Sequence, residues 1–420
     1  MSKKTTTKTT TTTTRTVSSG TSSKTASSSR VTQKSIIKGT MAVLALTAAL
    51  SYSFVKDAVT DLGLLLPPIQ PLNTAGCVAV PGLEACEDVH IHHKSGLAFT
   101  ACGDSELRKS WFPPMAKLNA SADPLAFQDK FIIYNLESGT YKSVEIKNLP
   151  AGTDRAFHGI DFFEKSPSEL VIFLINHRRG GSVVEVLEYK VGDDFITHKE
   201  TVKHELILTP NDIVALGPRS FYVSNDHMYA KGVMREIEVN LRRAWANVIY
   251  HSPEETFVAF PGVASANGMT ATPDRSTVYL SACHGGGMHV LKPHADHTLE
   301  QEEYIKLDFF VDNPFYDVDT GSVFLAGHVQ PLLFTSAMNY PGKPIIGPSK
   351  IVKISKKKAE AIAPSSAYSS SYKVETVLVD DGHQISTATT AALDRQRNIM
   401  LVGTCAGVKG LHRCPIPEGF

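Results

Sequence analysis

The chain has 420 residues, of which 42% are hydrophobic and 20% charged, a composition that excludes collagen-like and wholly disordered proteins. Its 42 Lys and Arg balance 42 Asp and Glu, but residues 1–38 hold eight basic residues and no acidic one. The other 34 basic and 42 acidic residues give the body a net charge of −8. This argues against nucleic-acid binding and is compatible with binding cations.

The N-terminal residues 1–35 are predicted to form a disordered cytosolic tail rich in Ser, Thr and Lys. They contain 22 Ser and Thr, including the run Thr9–Thr14. No apolar periodicity is present, so this segment has nothing with which to bury a core.

Residues 36–56 are predicted to form a transmembrane signal-anchor, followed by a linker over 57–76. Between Lys38 and Lys56 lie 17 uncharged residues, which span about 26 Å as a helix and approach the thickness of a bilayer core. The basic N-terminal flank predicts a single-pass type II protein with its body in the secretory lumen or outside the cell. A cleaved signal peptide, a buried helix and an organelle presequence are the alternatives.

The cysteines fit an oxidising compartment. The six cysteines include no CxxC pair and no Cys/His zinc spacing, and six allow 15 complete pairings, so their connectivity stays open. The single N-glycosylation sequon, Asn119-Ala120-Ser121, is usable if the body is lumenal.

From residue 77 onward the pattern is typical of β-structure, with residues 233–247 the best candidate helix. Six segments share a small polar cluster, an apolar stretch, a turn and an alternating strand, at irregular spacings of 45 to 74 residues. They start at Glu87, His158, Asn211, Asn267, Asp312 and Ser386. Repeats of this kind predict an all-β fold, a six-bladed β-propeller over 77–420.

Polar clusters begin five of these repeats and should converge on the propeller axis. They are Glu87/Asp88, His158, Asn211/Asp212, Asn267 and Asp312/Asn313. Asp and Asn before a strand are often only turn residues, but five clusters in register favour a shared site. Carboxylate and amide oxygens suit Ca²⁺ and disfavour zinc or copper. Histidines in or after these units, such as His158 and His177, are candidate bases.

At these residues the sequence resembles the paraoxonase/arylesterase family of calcium-dependent lactonases, as a divergent member, from about Cys77 to Cys414. The matching motifs occur in order: GLEACEDV, FHGI, INH, PNDIVALGP, FYVSNDH, AWANVIYHSP, ANGMTATPD, VDNPFYDVDTG and HRC. A single one would be weak, whereas the ordered set is specific for the family.

The resemblance implies a six-bladed propeller with two Ca²⁺ ions in a central channel. It implies that the ligands of a catalytic ion are Glu87, Asn211, Asn267, Asp312 and Asn313, and those of a structural ion are Asp88, Asp212 and the carbonyl of Ile160. It further implies a water-activating dyad of His158 and His177, pocket residues Asp226, His227 and His328, and a disulfide between Cys77 and Cys414.

The sequence also departs from the family pattern. The segment 103–126 is longer, the loop 281–290 carries a run of glycines, and Gly327 stands where the family has a free cysteine.

The leading hypothesis is a calcium-dependent carboxylic-ester hydrolase acting on small lactones and aryl esters, held at a membrane by its N-terminal helix. The alternative is a non-enzymatic, membrane-tethered propeller that Ca²⁺ stabilises as a binding module. A related propeller of the strictosidine-synthase-like kind lacks this full ligand set. A Ser-His-Asp hydrolase is disfavoured because no GxSxG motif occurs.

Overall fold

The computed structural model describes residues 33–119, 121, 128–357 and 370–420, and the predicted tail lies almost entirely outside them. The described residues divide into two units, with the boundary between Val55 and Lys56.

The first described element is the helix α1 (Gln33–Asp61). Its stretch Lys38–Thr60 has a mean hydropathy of 1.4, and within the described residues it is the one helix long and apolar enough to cross a membrane. A signal sequence has the same properties. The predicted span 36–56 lies inside α1, and the first residues of the predicted linker are helical.

The second unit is all-β apart from short helices. Its first half, in chain order, contains β1 (Val78–Ala79), β2 (Cys86–His92), β3 (Leu97–Cys102), α2 (Ser105–Arg108), β4 (Trp111–Phe112), a 3₁₀ turn (Pro113–Met115), β5 (Lys117–Leu118), β6 (Lys130–Asn135), β7 (Tyr141–Lys147), β8 (Phe157–Ser166), β9 (Glu169–Arg178), β10 (Gly181–Lys190) and β11 (Phe195–Val202).

The second half contains β12 (Pro210–Ala215), β13 (Phe221–Asn225), α3 (Val233–Asn240), β14 (Ala246–His251), β15 (Thr256–Val263), β16 (Ala266–Ala271), β17 (Val278–Ala282), β18 (Gly287–Pro293), β19 (Leu299–Lys306), β20 (Phe310–Asp317), β21 (Ser322–His328), α4 (Pro331–Ala337), β22 (Ser349–Lys356), β23 (Tyr372–Asp380), β24 (Ala388–Asp394), β25 (Ile399–Thr404) and β26 (Leu411–Cys414). The helix predicted over 233–247 is shorter in the structure. The helix α3 ends at Asn240, and the residues from Ala246 onward belong to the strand β14.

In the described part of the chain, these strands form four four-stranded sheets, one eight-stranded sheet and the small pair β4–β5. The eight-stranded sheet has the order β2-β3-β6-β7-β11-β10-β9-β8, and its two antiparallel halves meet in a short parallel pairing of β7 with β11. Three sheets are consecutive: β12 to β15, β16 to β19 and β20 to β23. The last has the order β1-β26-β25-β24, so the first strand of the unit completes the last sheet.

The burial of the strands follows their place in each sheet. β9 has eight consecutive buried residues and β25 is buried throughout, as expected for strands covered on both faces. The outer strand β7 has one buried residue, Val144, among half-buried and exposed ones. Apolar runs therefore form the inner strands, and polar or alternating sequences form the outer ones.

Hydrophobic clusters join each group of strands to the next and the last group to the first. Each of six clusters draws on two neighbouring groups, for example Val89 with Leu401, Phe99 with Leu174, Val171 with Val223, Tyr222 with Leu280, Val290 with Leu325, and Phe324 with Leu393. The result is a closed, propeller-like ring of sheets.

The two ends of the ring are joined covalently. Cys77 and Cys414 form a disulfide across 337 residues, beside the pairing of Val78 with Arg413. This is the pairing that the family resemblance implies. A second disulfide connects Cys86 and Cys102, which face each other on β2 and β3.

Replacing both Cys77 and Cys414 by Ser should lower stability by roughly 2–5 kcal/mol, because this disulfide closes the longer loop and restrains the unfolded chain most. Thermal unfolding of the full chain under oxidising conditions measures the effect. The matched control is the Cys86→Ser/Cys102→Ser pair, which opens a loop of only 16 residues and should lower the midpoint less. An unchanged midpoint without Cys77 and Cys414 would contradict the expectation.

Candidate functional site

Apart from β4 and β5, the strands form six groups of four, namely the four four-stranded sheets and the two halves of the eight-stranded sheet. In each group, the strand nearest the centre of the ring has an irregularity near its start in the pairing with its neighbour. The breaks in register fall between Cys86 and Val89, Phe157 and Ile160, Pro210 and Ile213, Ala266 and Met269, Val311 and Pro314, and Ala388 and Thr390. A bulge frees residues from the ladder and turns their side chains in a new direction. The residues inside these breaks are Glu87 and Asp88, His158 and Gly159, Asn211 and Asp212, Asn267 and Gly268, Asp312 and Asn313, and Thr389.

The six innermost strands β2, β8, β12, β16, β20 and β24 contact one another in sequence, and β24 contacts β2. The packing is close enough to require glycine at two bulges. A Cβ atom at Gly159 would lie 2.3 Å from the carbonyl oxygen of Asn211, and one at Gly268 would lie 2.3 Å from Oδ1 of Asn313. The five polar clusters predicted from sequence are thereby brought together.

The upper group contains the residues predicted to bind a catalytic ion. Asn313 donates through Nδ2 to Glu87 Oε1 at 2.7 Å, and His328 Nε2 lies 3.0 Å from Asp312 Oδ2. Asn267 Oδ1 accepts the adjacent N–H of Gly268. Three buried oxygens, Glu87 Oε2, Asn211 Oδ1 and Asn313 Oδ1, have no hydrogen-bond partner among the described residues.

The lower group contains Asp88 and Asp212, whose carboxylates accept backbone N–H groups. Asp88 accepts from Val89 at 2.8 Å and from Ile160 at 3.2 Å. Asp212 accepts from Ile213 at 2.7 Å and from Met269 at 2.6 Å. These bonds hold the two carboxylates rigidly where strands β2, β8, β12 and β16 meet.

The chemistry of both groups fits a cation. Burial, and the neighbouring Asp88, raise the pKa of Asp212 well above its usual value. Burial and the nearby Glu87 raise the pKa of Asp312 to about 6, although His328 opposes the shift. Buried carboxylates that repel one another are costly unless an opposite charge compensates them. Oxygen atoms without partners are the ligands that Ca²⁺ takes.

Among the described residues, no three His, Cys, Asp or Glu side chains form a group able to hold a metal ion. The predicted sets would not produce such a group, because the upper one combines two carboxylates with three amides. The lower one combines two carboxylates with a backbone carbonyl, that of Ile160. Amide and carbonyl oxygens would have to complete either coordination shell.

His158 and His177 form a buried pair beside the upper group. The Nδ1 atom of His158 lies 3.0 Å from His177 Nε2, and the Nε2 atom of His158 lies 3.5 Å from Glu87 Oε1. His177 Nδ1 lies 2.9 Å from Ser182 Oγ. Burial and the neighbouring His158 lower the pKa of His177 well below its usual value, so His177 is neutral at physiological pH. Burial lowers the pKa of His158, but Glu87 outweighs it and the net shift is upward.

A cavity of about 120 Å³ opens above these groups. The three predicted pocket residues line it: Asp226 and His227, whose Oδ1 and Nδ1 atoms are 2.8 Å apart, and His328. Its apolar walls include Phe112 of β4, Met115 of the 3₁₀ turn, Phe310 at the start of β20 and Phe334 of α4.

Several residues near the site were not predicted from the sequence. The free thiols of Cys283 and Cys405 line the cavity, and Thr389 donates through Oγ1 to the carbonyl of Glu87.

His90 lies between Asp88 and Asp161, with ring nitrogens 3.3 and 3.2 Å from their oxygens. Although burial lowers it, these two carboxylates hold the pKa of His90 well above its usual value. No motif in the sequence marks the contacts of Thr389 with Glu87 and of His90 with Asp161, because each joins residues of separate strands.

The sequon residue Asn119 is exposed and follows β5, and Ala120 of the sequon lies outside the described residues. Its Oδ1 accepts the N–H of Ser121.

Comparison with known proteins adds independent information. The chain is 32% identical over 286 residues to the serum paraoxonase/arylesterase 2 of Canis lupus familiaris, covering 66% of this chain and 77% of the relative. It is 29% identical over 340 residues to the serum paraoxonase/lactonase 3 of Oryctolagus cuniculus, covering 81% and 88%. The luciferin-regenerating enzyme shares its fold, with a TM-score of 0.50 at 12% identity over 83% of this chain and 96% of that one. The family model named Arylesterase matches residues 69–412, and the chain therefore belongs to the arylesterase family.

Proposed function

We propose that the chain is a calcium-dependent hydrolase of lactones and aryl esters. The observation that carries the proposal is the contact between His158 and Glu87. It places a buried imidazole pair beside the Glu87 carboxylate, whose other oxygen, Oε2, has no hydrogen-bond partner among the described residues, and both His158 and Glu87 line the cavity. Membership of the arylesterase family supports ester hydrolysis. The names of the relatives, which include arylesterase and lactonase, support the substrate class.

The scaffold for this activity is proposed to be a six-bladed propeller. The short parallel pairing of β7 with β11 is then an edge contact between two four-stranded blades rather than the centre of one sheet. Each of the six groups of four strands has its bulge in the innermost strand. Six equivalent groups around one centre fit six blades around one channel.

Two Ca²⁺ ions are proposed to bind in this channel. The upper ion would be held by Glu87, Asn211, Asn267, Asp312 and Asn313, and the lower by Asp88, Asp212 and the carbonyl of Ile160. When bound, the upper ion would supply a positive charge that polarises an ester carbonyl and stabilises negative charge on its oxygen.

The protein's own groups then move the proton. His158 lines the cavity, and its Nε2 atom accepts a proton from water as the water oxygen attacks the acyl carbon. Its Nδ1 atom is held by His177, which is itself oriented by Ser182. When the acyl–oxygen bond breaks, His158 returns the proton to the leaving alkoxide or phenoxide. The apolar side chains of Phe112, Phe310 and Phe334 exclude water from the rest of the cavity.

The unit is proposed to work in the secretory lumen or outside the cell, with the membrane as the partner of α1 and no nucleic-acid partner. The basic tail at the N-terminal side of an apolar helix supports type II topology. Two disulfides in the described residues support an oxidising compartment.

Removing calcium should abolish hydrolysis of both phenyl acetate and δ-valerolactone. EDTA-treated full chain should also unfold at a lower temperature, because an ion that binds only the folded state stabilises it. Adding Ca²⁺ back should restore both, and Mg²⁺ should not, because its smaller octahedral shell fits these ligands poorly. Undiminished turnover after EDTA would refute the proposal. Calcium-dependent unfolding with no turnover of any ester or lactone would favour the non-enzymatic binding module.

Asn267→Ala should lower kcat/KM for either substrate by roughly 10- to 100-fold, as expected for losing one group that binds or orients a metal. Calcium affinity, measured by titration of the unfolding midpoint, should fall in parallel. Asn240→Ala, at the exposed end of α3, is the matched control and should change neither quantity. A folded Asn267→Ala protein with the parent's turnover and calcium affinity would remove Asn267 from the site.

Type II topology predicts that Asn119 carries a glycan in a eukaryotic host, because the exposed Asn119 side chain would be lumenal. Endoglycosidase should then increase the gel mobility of the full chain, and Asn119→Gln should abolish that change. A full chain whose mobility endoglycosidase does not alter would argue that the body stays in the cytosol.

A further inference from the structure

The segment 103–118 connects β3 to β6 and contains α2, β4, the 3₁₀ turn and β5. It belongs to the region that is longer than the family pattern, and no role follows from that resemblance. We propose that this segment positions the histidine dyad, with Arg108 as a positioning residue for His158 and Trp111 as one for His177. The proposal rests on the function proposed above.

The segment is folded by local interactions that aim Arg108 inward. Asp104 accepts the N–H groups of Glu106 and Leu107, both at 2.9 Å, and so caps the single turn of α2. In that turn Ser105 and Arg108 are the buried residues, as expected for positions three apart on one helix face.

Arg108 and Asp129 bind both backbone polar groups of the residue before His158. Arg108 is 3% exposed, and its Nη2 atom donates to Asp129 Oδ2 at 2.7 Å and to the carbonyl of Phe157 at 3.0 Å. The N–H of Phe157 donates to the same Oδ2 atom at 2.8 Å. A buried ion pair whose members also bond to the backbone fixes geometry more than it adds stability.

Trp111 binds the backbone of the second histidine. Its indole Nε1 donates to the carbonyl oxygen of His177 at 2.6 Å, and the N–H of His177 donates to Ala156 at 2.9 Å. The next residue, Phe112, packs edge-on against the ring of His158 with centroids 5.2 Å apart. Two residues of one short segment, Trp111 and Phe112, therefore contact the two members of the dyad, and Arg108 binds the residue next to His158.

These contacts act on alignment rather than on substrate binding. Proton transfer between water, His158 and His177 depends on hydrogen-bond distance and direction, and misplacement by about 1 Å can cost on the order of 100-fold in rate. Arg108 and Trp111 do not line the cavity, so their loss should lower kcat and leave KM nearly unchanged.

The test compares Trp111→Phe with Trp245→Phe in the full, calcium-loaded chain. Trp111→Phe keeps an aromatic ring and removes the indole N–H that donates to His177. Trp245 is the other tryptophan and packs against Tyr229. Trp111→Phe should lower kcat on δ-valerolactone by roughly 10- to 100-fold at constant KM. Trp245→Phe should retain the parent's kcat. A Trp111→Phe protein with the parent's kcat, whatever its unfolding midpoint, would overturn the proposal.

Arg108→Lys is the second variant, because Lys keeps the charge opposite Asp129 but replaces the planar guanidinium, whose Nη2 atom makes both bonds, by a flexible ammonium group. It should remain folded with a smaller loss of kcat than Trp111→Phe. A raised KM with an unchanged kcat would contradict a positioning role.

A readout that does not need turnover separates this proposal from the proposed function. Ring-nitrogen NMR of the ¹⁵N-histidine-labelled chain should show shifted signals for His158 and His177 in Trp111→Phe and unshifted ones in Trp245→Phe. If the parent hydrolyses none of the substrates, the proposed function fails, and these spectra still decide whether Trp111 positions the dyad. Unshifted dyad signals in Trp111→Phe would overturn the positioning role in either case.

Discussion

The structure depends on one repeated irregularity, the bulge in the innermost strand of each group of four. A regular strand would alternate its side chains between the two neighbouring sheets, and both sides are hydrophobic here. The bulge interrupts that alternation for one or two residues, which leaves them free to face the centre of the ring. Polar residues can therefore occupy strands that are otherwise buried, but only at this step. Gly159 and Gly268 follow from the same constraint, since the bulges of adjacent strands nearly touch.

The upper and lower groups of residues differ in whether their side-chain oxygens have hydrogen-bond partners. The Asp88 and Asp212 carboxylates accept backbone N–H groups from neighbouring strands, so their positions are fixed by the sheets themselves. The upper group leaves oxygens of Glu87, Asn211 and Asn313 without partners among the described residues, and it faces the cavity. A cation below would mainly join strands, whereas one above would be reachable by substrate. In the proposed channel, depth would thus separate a structural ion from a catalytic one.

The sequence predicted the inner strands well because polar residues interrupt apolar runs there. The repeats that begin at Glu87, His158, Asn211 and Asn267 each start one residue after the first residue of an inner strand. The sequence did not predict the sixth bulge residue, Thr389, because its neighbours Thr387 and Thr390 are also threonines and no pattern distinguishes it. The pairing of Cys86 with Cys102 was also open, since it depends on the register of β2 against β3.

The chemistry and the access to it are encoded in different parts of the chain. The innermost strands supply the carboxylates, the amides and His158, whereas most of the cavity walls come from the segment 103–118, the loops and α4. One buried side chain joins two of these walls: Lys109 Nζ donates to the carbonyl oxygens of Tyr340 and Lys343 at 3.3 and 2.6 Å. The segment that holds the dyad from behind is therefore also connected to the loop after α4. Changes in these loops would alter which substrates fit without touching the ring, but only if Arg108 and Trp111 keep their contacts.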